Sequence, residues 1–480
     1  MNEFIAIVTP AITAMLTVVA VIFLVNGLVD ILTDAIYIAW RFYRRLVFKQ
    51  AHRPLSENLL AVEEEQLAAI LVPAWQEDAV IGQMLDNTIQ TLKYTNYIVF
   101  VGVYPNDPKT IDAVREAAER HPGKVAPVIL DHGGPTTKAD CLNGILKYLH
   151  EFERRLGHRF EFLVLDDAED LVPAYELKVM NHLIPRKDIV QIAVFPVKAK
   201  WWEFTAGHYM DEFAILHLKD MRTREWMTGI VPSAGVGTGF SRRVIDLACA
   251  LRGEAPFDKN ALTEDYELPL SLARHNVREI FVNSGVKPDR RNASLPKHSP
   301  AFLYANQVQA VRSVFPRSFS AAVRQKSRWV LGIGLQGWEH LGWKGSLWHR
   351  FMLFRDRRAL IGNLANVLGY VLVFFTLSLW ACCYAAFGAA TFPNVVPAGS
   401  LLWYLITANF FIMCFQLLSR AVATFKIYGL VHAILSVPRA VWGNIINFEA
   451  TVRALHTYFL AKHNGETHIP WEKTIHEFPG

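Results

Sequence analysis

The sequence predicts an α/β domain with a doubly wound, mostly parallel sheet, flanked by transmembrane and interfacial helices. Three observations carry that expectation. Charge-free apolar runs lie near both ends of the chain. Between them, short apolar strands alternate with amphipathic helical stretches. Carboxylates gather where those strands end. The composition agrees: of 480 residues, 52% are hydrophobic and 19% charged, and mean hydropathy is +0.19. Soluble proteins carry about 25% charged residues, so the apolar excess points to membrane spans. The 49 basic and 44 acidic side chains need water, which excludes a purely membrane-embedded bundle. Disorder and a disulfide-stapled miniprotein are excluded as well. The net charge of +5 fits basic residues on the cytoplasmic side of spans, not a nucleic-acid partner. Cys141, Cys249, Cys382, Cys383 and Cys414 form no CxxC pair and no metal-ligand spacing, and read as inert thiols in a reducing compartment.

Residues 4–29 carry no charge and are long enough to cross a bilayer core of about 30 Å. No basic n-region precedes them, so they read as a retained anchor and not a signal peptide. Arg41, Arg44, Arg45, Lys49 and Arg53 follow, which places the N-terminus outside and the chain beyond residue 41 in the cytoplasm. Residues 67–75, 97–105, 124–130 and 160–170 read as strands, with helical stretches after each of the first three. That alternation predicts a parallel sheet with ligands at its carboxyl edge. No Asp, Glu, Lys or Arg occurs between Arg358 and Arg420, and TFPNVVPAGS divides this stretch into two apolar blocks. It reads as a transmembrane hairpin with both ends cytoplasmic. Residues 427–460 are apolar but hold Pro438, Arg439, Glu449 and Arg453. They read as helices lying at the interface, with a fourth span as the alternative. The expected organisation is an anchor at 1–40, a cytoplasmic domain at 54–300, interface helices at 301–357, a hairpin at 358–420, and interfacial helices with a cytoplasmic tail at 421–480.

Four clusters fall where chemistry is possible. The first comprises strand-end acids: Asp107, and the run Asp166-Asp167-Ala168-Glu169-Asp170. Asp167 and Glu169, two apart in extended backbone, point to one side and suit a hard divalent cation; the bland alternative is a solvated acidic turn. The second is Lys138 with Asn143, after Gly133-Gly134-Pro135, an arrangement that suits an anion or a plain solvent-facing lysine. The third is Thr263-Glu264-Asp265 at a helix start, either a cap or a general base. The fourth is Gln325, Arg328 and Trp329, which share adjoining helix faces. It fits an amphipathic interface helix, or an arginine for a diphosphate and a tryptophan for a sugar face.

In this order, and followed by membrane helices, the clusters resemble the processive membrane glycosyltransferases of family 2. Those carry an early Asp, a DxD motif, TED and QxxRW. Here these read Asp107, Asp167-x-Glu169, Thr263-Glu264-Asp265 and Gln325-x-x-Arg328-Trp329. LDDAEDLVPAYEL, MDEFAILHLKDM, VPSAGVGTGFSRR, PRAVWGNIINFEATVRAL and WEKTIHEFP are similar to the N-terminal module of NfrB-type proteins, where the metal motif is DxE-like. The resemblance implies a GT-A-type fold in a bacterial inner membrane and an inverting transfer from a UDP-linked sugar to a growing exopolysaccharide. It gives Asp107 and Asp166 to the donor, Asp167 and Glu169 to Mg or Mn, and Asp265, with Glu264 beside it, to proton abstraction. Lys138, Asn143, Gln325, Arg328 and Trp329 would bind substrate, with Gly237 and Thr238 in an acceptor-facing loop. The implied partners are donor, polysaccharide acceptor, bilayer and an outer-membrane export partner. The alternatives are single transfer to a lipid acceptor, and a non-catalytic scaffold for an export or phage-receptor partner.

Overall fold

The computed structural model describes residues 2–47, 55–61, 64–253, 255–287, 308–388, 394–465 and 478. Lys49, Arg53, the start of the TFPNVVPAGS turn, and WEKTIHEFP apart from Phe478 lie outside the described residues. The chain opens on α1 (Asn2–Val47), then β1 (Leu55–Ser56) and α2 (Glu57–Ala61). Next come β2 (Ala68–Pro73), α3 (Ile81–Thr91), β3 (Tyr97–Val103), α4 (Pro108–Arg120), β4 (Val125–Ile129), α5 (Lys138–Leu156) and β5 (Phe162–Leu165). The local signals are physical. Asp107 caps α4 with Pro108 in its first turn. Thr137 caps α5, which stops at Gly157 in the left-handed region.

Beyond β5 lie α6 (Glu176–Leu183), β6 (Ile189–Pro196), α7 (Phe204–Ile215), a π-helical turn, α8 (Met221–Thr228), β7 (Thr238–Ser241), α9 (Arg242–Arg252) and α10 (Glu264–Leu272). Strands β8 (Glu279–Val282), β9 (Val286–Lys287) and β10 (Ala310–Ser313) follow. The sheet order is β10-β6-β7-β5-β2-β3-β4, with β8 also paired to β6. Among the described strands, only β7 runs antiparallel to its sheet neighbours. Side chains alternate between two cores. Ile70 and Val72 face α3, α4 and α6, while Ala69 and Leu71 face α5 and α9.

The remainder is helical: α11 (Phe319–Trp329), a π-helical stretch Val330–Gln336, α12 (Gly337–Leu341), α13 (Leu347–Arg357), α14 (Ala359–Phe387), α15 (Leu401–Tyr428) and α16 (Leu430–His463). Three helical stretches, Val8–Val47, Leu347–Ala386 and Leu401–Tyr428, are long and apolar enough to cross a membrane. Phe374 and Phe411 stand exposed on them, as lipid-facing side chains do. Helix α1 does not stop at residue 29; it carries Arg41, Arg44 and Arg45 in its last turns. Asp30 on α1 accepts from Arg358 and, at 3.1 Å, from Gln416 Nε2, which ties three helices together. Residues 430–463 form one continuous helix despite Pro438.

Candidate active site

Strands β2, β3, β5 and β6 run parallel, so their carboxyl ends share one edge of the sheet. A cavity of about 200 Å³ opens there. Asp167 and Glu169 reach it from the turn after β5, Lys138 from the start of α5, and Glu264 and Asp265 from the start of α10. Gln325, Arg328 and Trp329 close it from α11. Residues scattered over almost two hundred positions are thus drawn into one space.

Lys138 organises the acids. Its Nζ lies 2.5 Å from Asp167 Oδ1 and donates to the Gly235 carbonyl at 3.0 Å. Burial works against its charge, yet Asp167, Glu264 and Asp265 hold its pKa above the ordinary lysine range. Burial, reinforced by the charge of Asp265, pushes the Glu264 carboxyl up to about 8. Burial also raises Asp265, and Lys138 opposes that rise. Lys138 opposes that rise at Glu264 too, so one cation serves both carboxyls. Asp265 Oδ1 accepts from the Tyr266 amide at 2.8 Å. Its Oδ2 faces Gly235, where a Cβ would sit only 2.6 Å away; the positive φ of 78° there also suits glycine.

Trp329 is wedged among Tyr209, Phe213 and Phe315, with ring centroids 6.0, 6.2 and 6.4 Å away. Gln325 Oε1 is buried without a hydrogen-bond partner among the described residues, as expected of a group whose partner arrives with a ligand.

Other expected site residues lie elsewhere. Asp107 does not line the cavity: its carboxylate caps α4 and accepts from the Gln76 amide at 2.5 Å, which holds that residue at a φ of 54°. Asn143 points to the opposite side of α5, exchanging two hydrogen bonds with the Phe257 backbone at 2.8 and 3.2 Å. Asp166 is buried, accepting from the Gly237 amide at 3.2 Å. Gly237 itself is pressed between Ile192 and Val311, and Thr238 hydrogen-bonds to Gln191 at 2.7 Å. The residues that reach the cavity are their predecessors Ala234 and Val236. Trp75, Glu77, Thr137 and Phe315 also line it. The first two stand at the end of β2, in the strand-end segment Pro73-Ala74-Trp75-Gln76-Glu77 that the sequence already marks. Phe315 carries no such mark.

Behind the cavity, Asp166, Asp170 and Glu176 are fully buried. Asp170 accepts from Ser313 Oγ and from the Asp167 amide at 2.9 Å. Burial drives all three carboxyls well above the ordinary range; repulsion adds to it, from Asp170 on Asp166, from Asp167 and Glu169 on Asp170, and from Asp166 and Asp170 on Glu176. Asp167 and Glu169 in front differ, because they face the cavity and offer only oxygen. That donor set fits a hard divalent cation such as Mg or Mn. One further group, Asp258, Glu267 and His340, holds its ligand atoms within 4.8 Å of one another. There His340 Nδ1 already meets Glu267 at 2.9 Å and Arg252 reaches the other oxygen at 3.3 Å, so the charges are paired internally.

A family model described as "Glycosyltransferase like family 2" matches residues 66–332. Bacteriophage adsorption protein B of Escherichia coli (strain K12) and bacteriophage N4 adsorption protein B of Escherichia coli O157:H7 are each 39% identical to this chain over 460 residues. The alignments cover 96% of this chain and 61% of each relative, so the chain spans less than two thirds of their length. Among solved structures, a mannosyltransferase from Pyrobaculum calidifontis in complex with GDP-Man and Mn2+ aligns at 16% identity. That alignment covers 88% of this chain and 99% of the other, with a TM-score of 0.47. The family match encloses every strand of the sheet from β2 onward and all the side chains described at the cavity. The chain therefore belongs to glycosyltransferase family 2, on a GT-A-type fold joined to membrane helices.

Proposed function

We propose that this chain is an inverting membrane glycosyltransferase. It transfers a sugar from a nucleotide-sugar, UDP-linked in this reading, to a growing exopolysaccharide at the cytoplasmic face of a bacterial inner membrane. The observation that carries the reading is the meeting of Asp167, Glu169, Asp265 and the Gln325-Arg328-Trp329 face in one cavity at the sheet's carboxyl edge. The reading includes an outer-membrane export or receptor partner; the relatives' names add only phage adsorption.

In the proposed reaction, the donor diphosphate lies between Lys138 and Arg328, whose positive charges favour it. Asp167 and Glu169 would hold Mg or Mn, which when bound neutralises charge on the leaving diphosphate. The acceptor hydroxyl attacks the anomeric carbon in line. Its proton passes to an Asp265 carboxylate oxygen, the bond from that carbon to the diphosphate oxygen breaks, and UDP leaves with the electron pair. One displacement inverts the anomeric configuration. Glu264 stands beside the base, its carboxyl raised by burial. Trp329 offers a flat floor to the acceptor ring. Residues 1–40 and 358–420 would cross the membrane. The exposed apolar face of α16, including Leu430, Ile434, Val441 and Phe459, would lie in its interface.

The test is UDP release from purified full-length chain in detergent, across a panel of UDP-sugars. Asp265→Asn should lower turnover by about 10²–10⁴-fold, the usual weight of a general base, with donor affinity nearly unchanged. Near-normal turnover in that variant removes Asp265 as the base.

A further inference from the structure

Two consecutive acids of α7 face the membrane-proximal helices, outside the cavity. Asp211 is fully buried and takes a two-pronged grip from Arg439 of α16, also fully buried: Nε to Oδ2 at 2.9 Å and Nη2 to Oδ1 at 2.8 Å. From α15, Thr424 donates to the same carboxylate at 3.0 Å and Arg420 at 3.4 Å. The next residue, Glu212, accepts from Lys326 of α11 and from Asn447 of α16 at 3.3 Å. Lys326 also donates to Asn447 at 2.9 Å. The approach is tight: a Cβ on Gly443 of α16 would fall 2.1 Å from the His208 ring of α7.

We propose that Asp211, Glu212, Lys326 and Arg439 are positioning residues, which fix α11 against α7 and the helices α15 and α16, and so set where Arg328 and Trp329 stand in the cavity. The inference rests on the transferase reading above. Buried ion pairs contribute little net stability compared with apolar packing, whereas they do select one geometry when every partner is satisfied. The geometry selected here bears on the site twice. Lys326 sits between Gln325 and Arg328 on their own helix, and Tyr209 and Phe213 of the same α7 pack on Trp329. A shift of α15 or α16 in the bilayer therefore reaches the cavity through α7.

The experiment uses full-length protein in detergent. Lys326→Met should lower kcat/KM for UDP release at least tenfold. Lys326→Arg should restore at least half of that loss. In an Arg328→Ala, Trp329→Ala background, Lys326→Met should lower kcat/KM less than twofold further, because the groups it positions are gone. Losses that multiply in full, or no recovery in Lys326→Arg, overturn the proposal. A second readout needs no turnover. Arg439→Lys keeps the charge and loses the grip, and should speed amide hydrogen exchange across residues 319–329 at least tenfold, with residues 81–91 unchanged. Unchanged exchange at 319–329, or equal acceleration in both segments, overturns the linkage even if no UDP-sugar is a donor, so failure of the transferase reading remains a separate result.

Discussion

Glu176 shows how a single side chain reports on its surroundings. Both carboxyl oxygens are buried without a hydrogen-bond partner among the described residues, and burial together with Asp166 and Asp170 raises the pKa well above the ordinary carboxylate range. An acid whose pKa is higher folded than unfolded binds more protons in the native state. Stability then falls as pH rises above the unfolded value of about 4.3. Glu176→Gln has the same shape and no proton to lose. Its melting temperature relative to wild type should therefore climb between pH 4 and pH 8; a constant difference would mean the native carboxyl is ionised. The sequence could not single out this residue. Strand-end position made Asp167 and Glu169 legible, and the helical spacing of Gln325, Arg328 and Trp329 gave them a common face. Which way Asn143 turns on α5, or that Asp107 also takes the Gln76 amide, depends on neighbours more than thirty residues away in the chain.

At the scale of elements, regular alternation was readable because β2, β3, β4 and β5 are apolar runs bounded by turn residues, and α3 to α5 carry clear amphipathic patterns. The π-helical stretch after Trp329 left no such trace, since one extra residue per turn changes the backbone without changing the composition. The acceptor-facing loop expected at Gly237 and Thr238 was not legible in its phase: Gly235 meets Asp265, while Gly237 is packed in the sheet. Gly235→Ala should show the difference. It forces a side chain into the left-handed region, which costs about 1 kcal/mol, and its methyl group displaces Asp265. The melting temperature should drop by a few degrees, while UDP release should fall far more than that loss explains. An activity close to wild type would mean that Asp265 has room to move without consequence.

For the whole molecule, the apolar excess in the composition resolves into three helices long enough to span a bilayer, and the charged residues into a sheet domain beneath them. What composition does not reveal is how the two are bolted together. On α1, Asp30 meets Arg358 and Gln416, which belong to segments more than three hundred residues further on. Asp30→Ala leaves Arg358 without its carboxylate. Removing one partner of a buried pair costs about 3–5 kcal/mol, and the part-exposed Asp30 puts this case at the low end. The measurement is the unfolding midpoint in detergent, where Asp30→Leu combined with Arg358→Met should recover part of the loss. No change in the single variant would mean that water or lipid headgroups replace the carboxylate.

Strand β10 has a further meaning in time. It pairs with β6 over Ala193 to Pro196, and Ser313 on it reaches Asp170 behind the acidic turn. A chain emerging from the ribosome makes β6 more than a hundred residues before β10. Throughout that interval the outer half of β6, an apolar segment with unpaired amides and carbonyls, is an open edge of the kind that invites pairing with a neighbouring nascent chain. The first helix, already long enough to enter the bilayer, tethers each half-made domain and spaces it from its neighbours. Early membrane insertion would then act as a built-in guard against aggregation during synthesis.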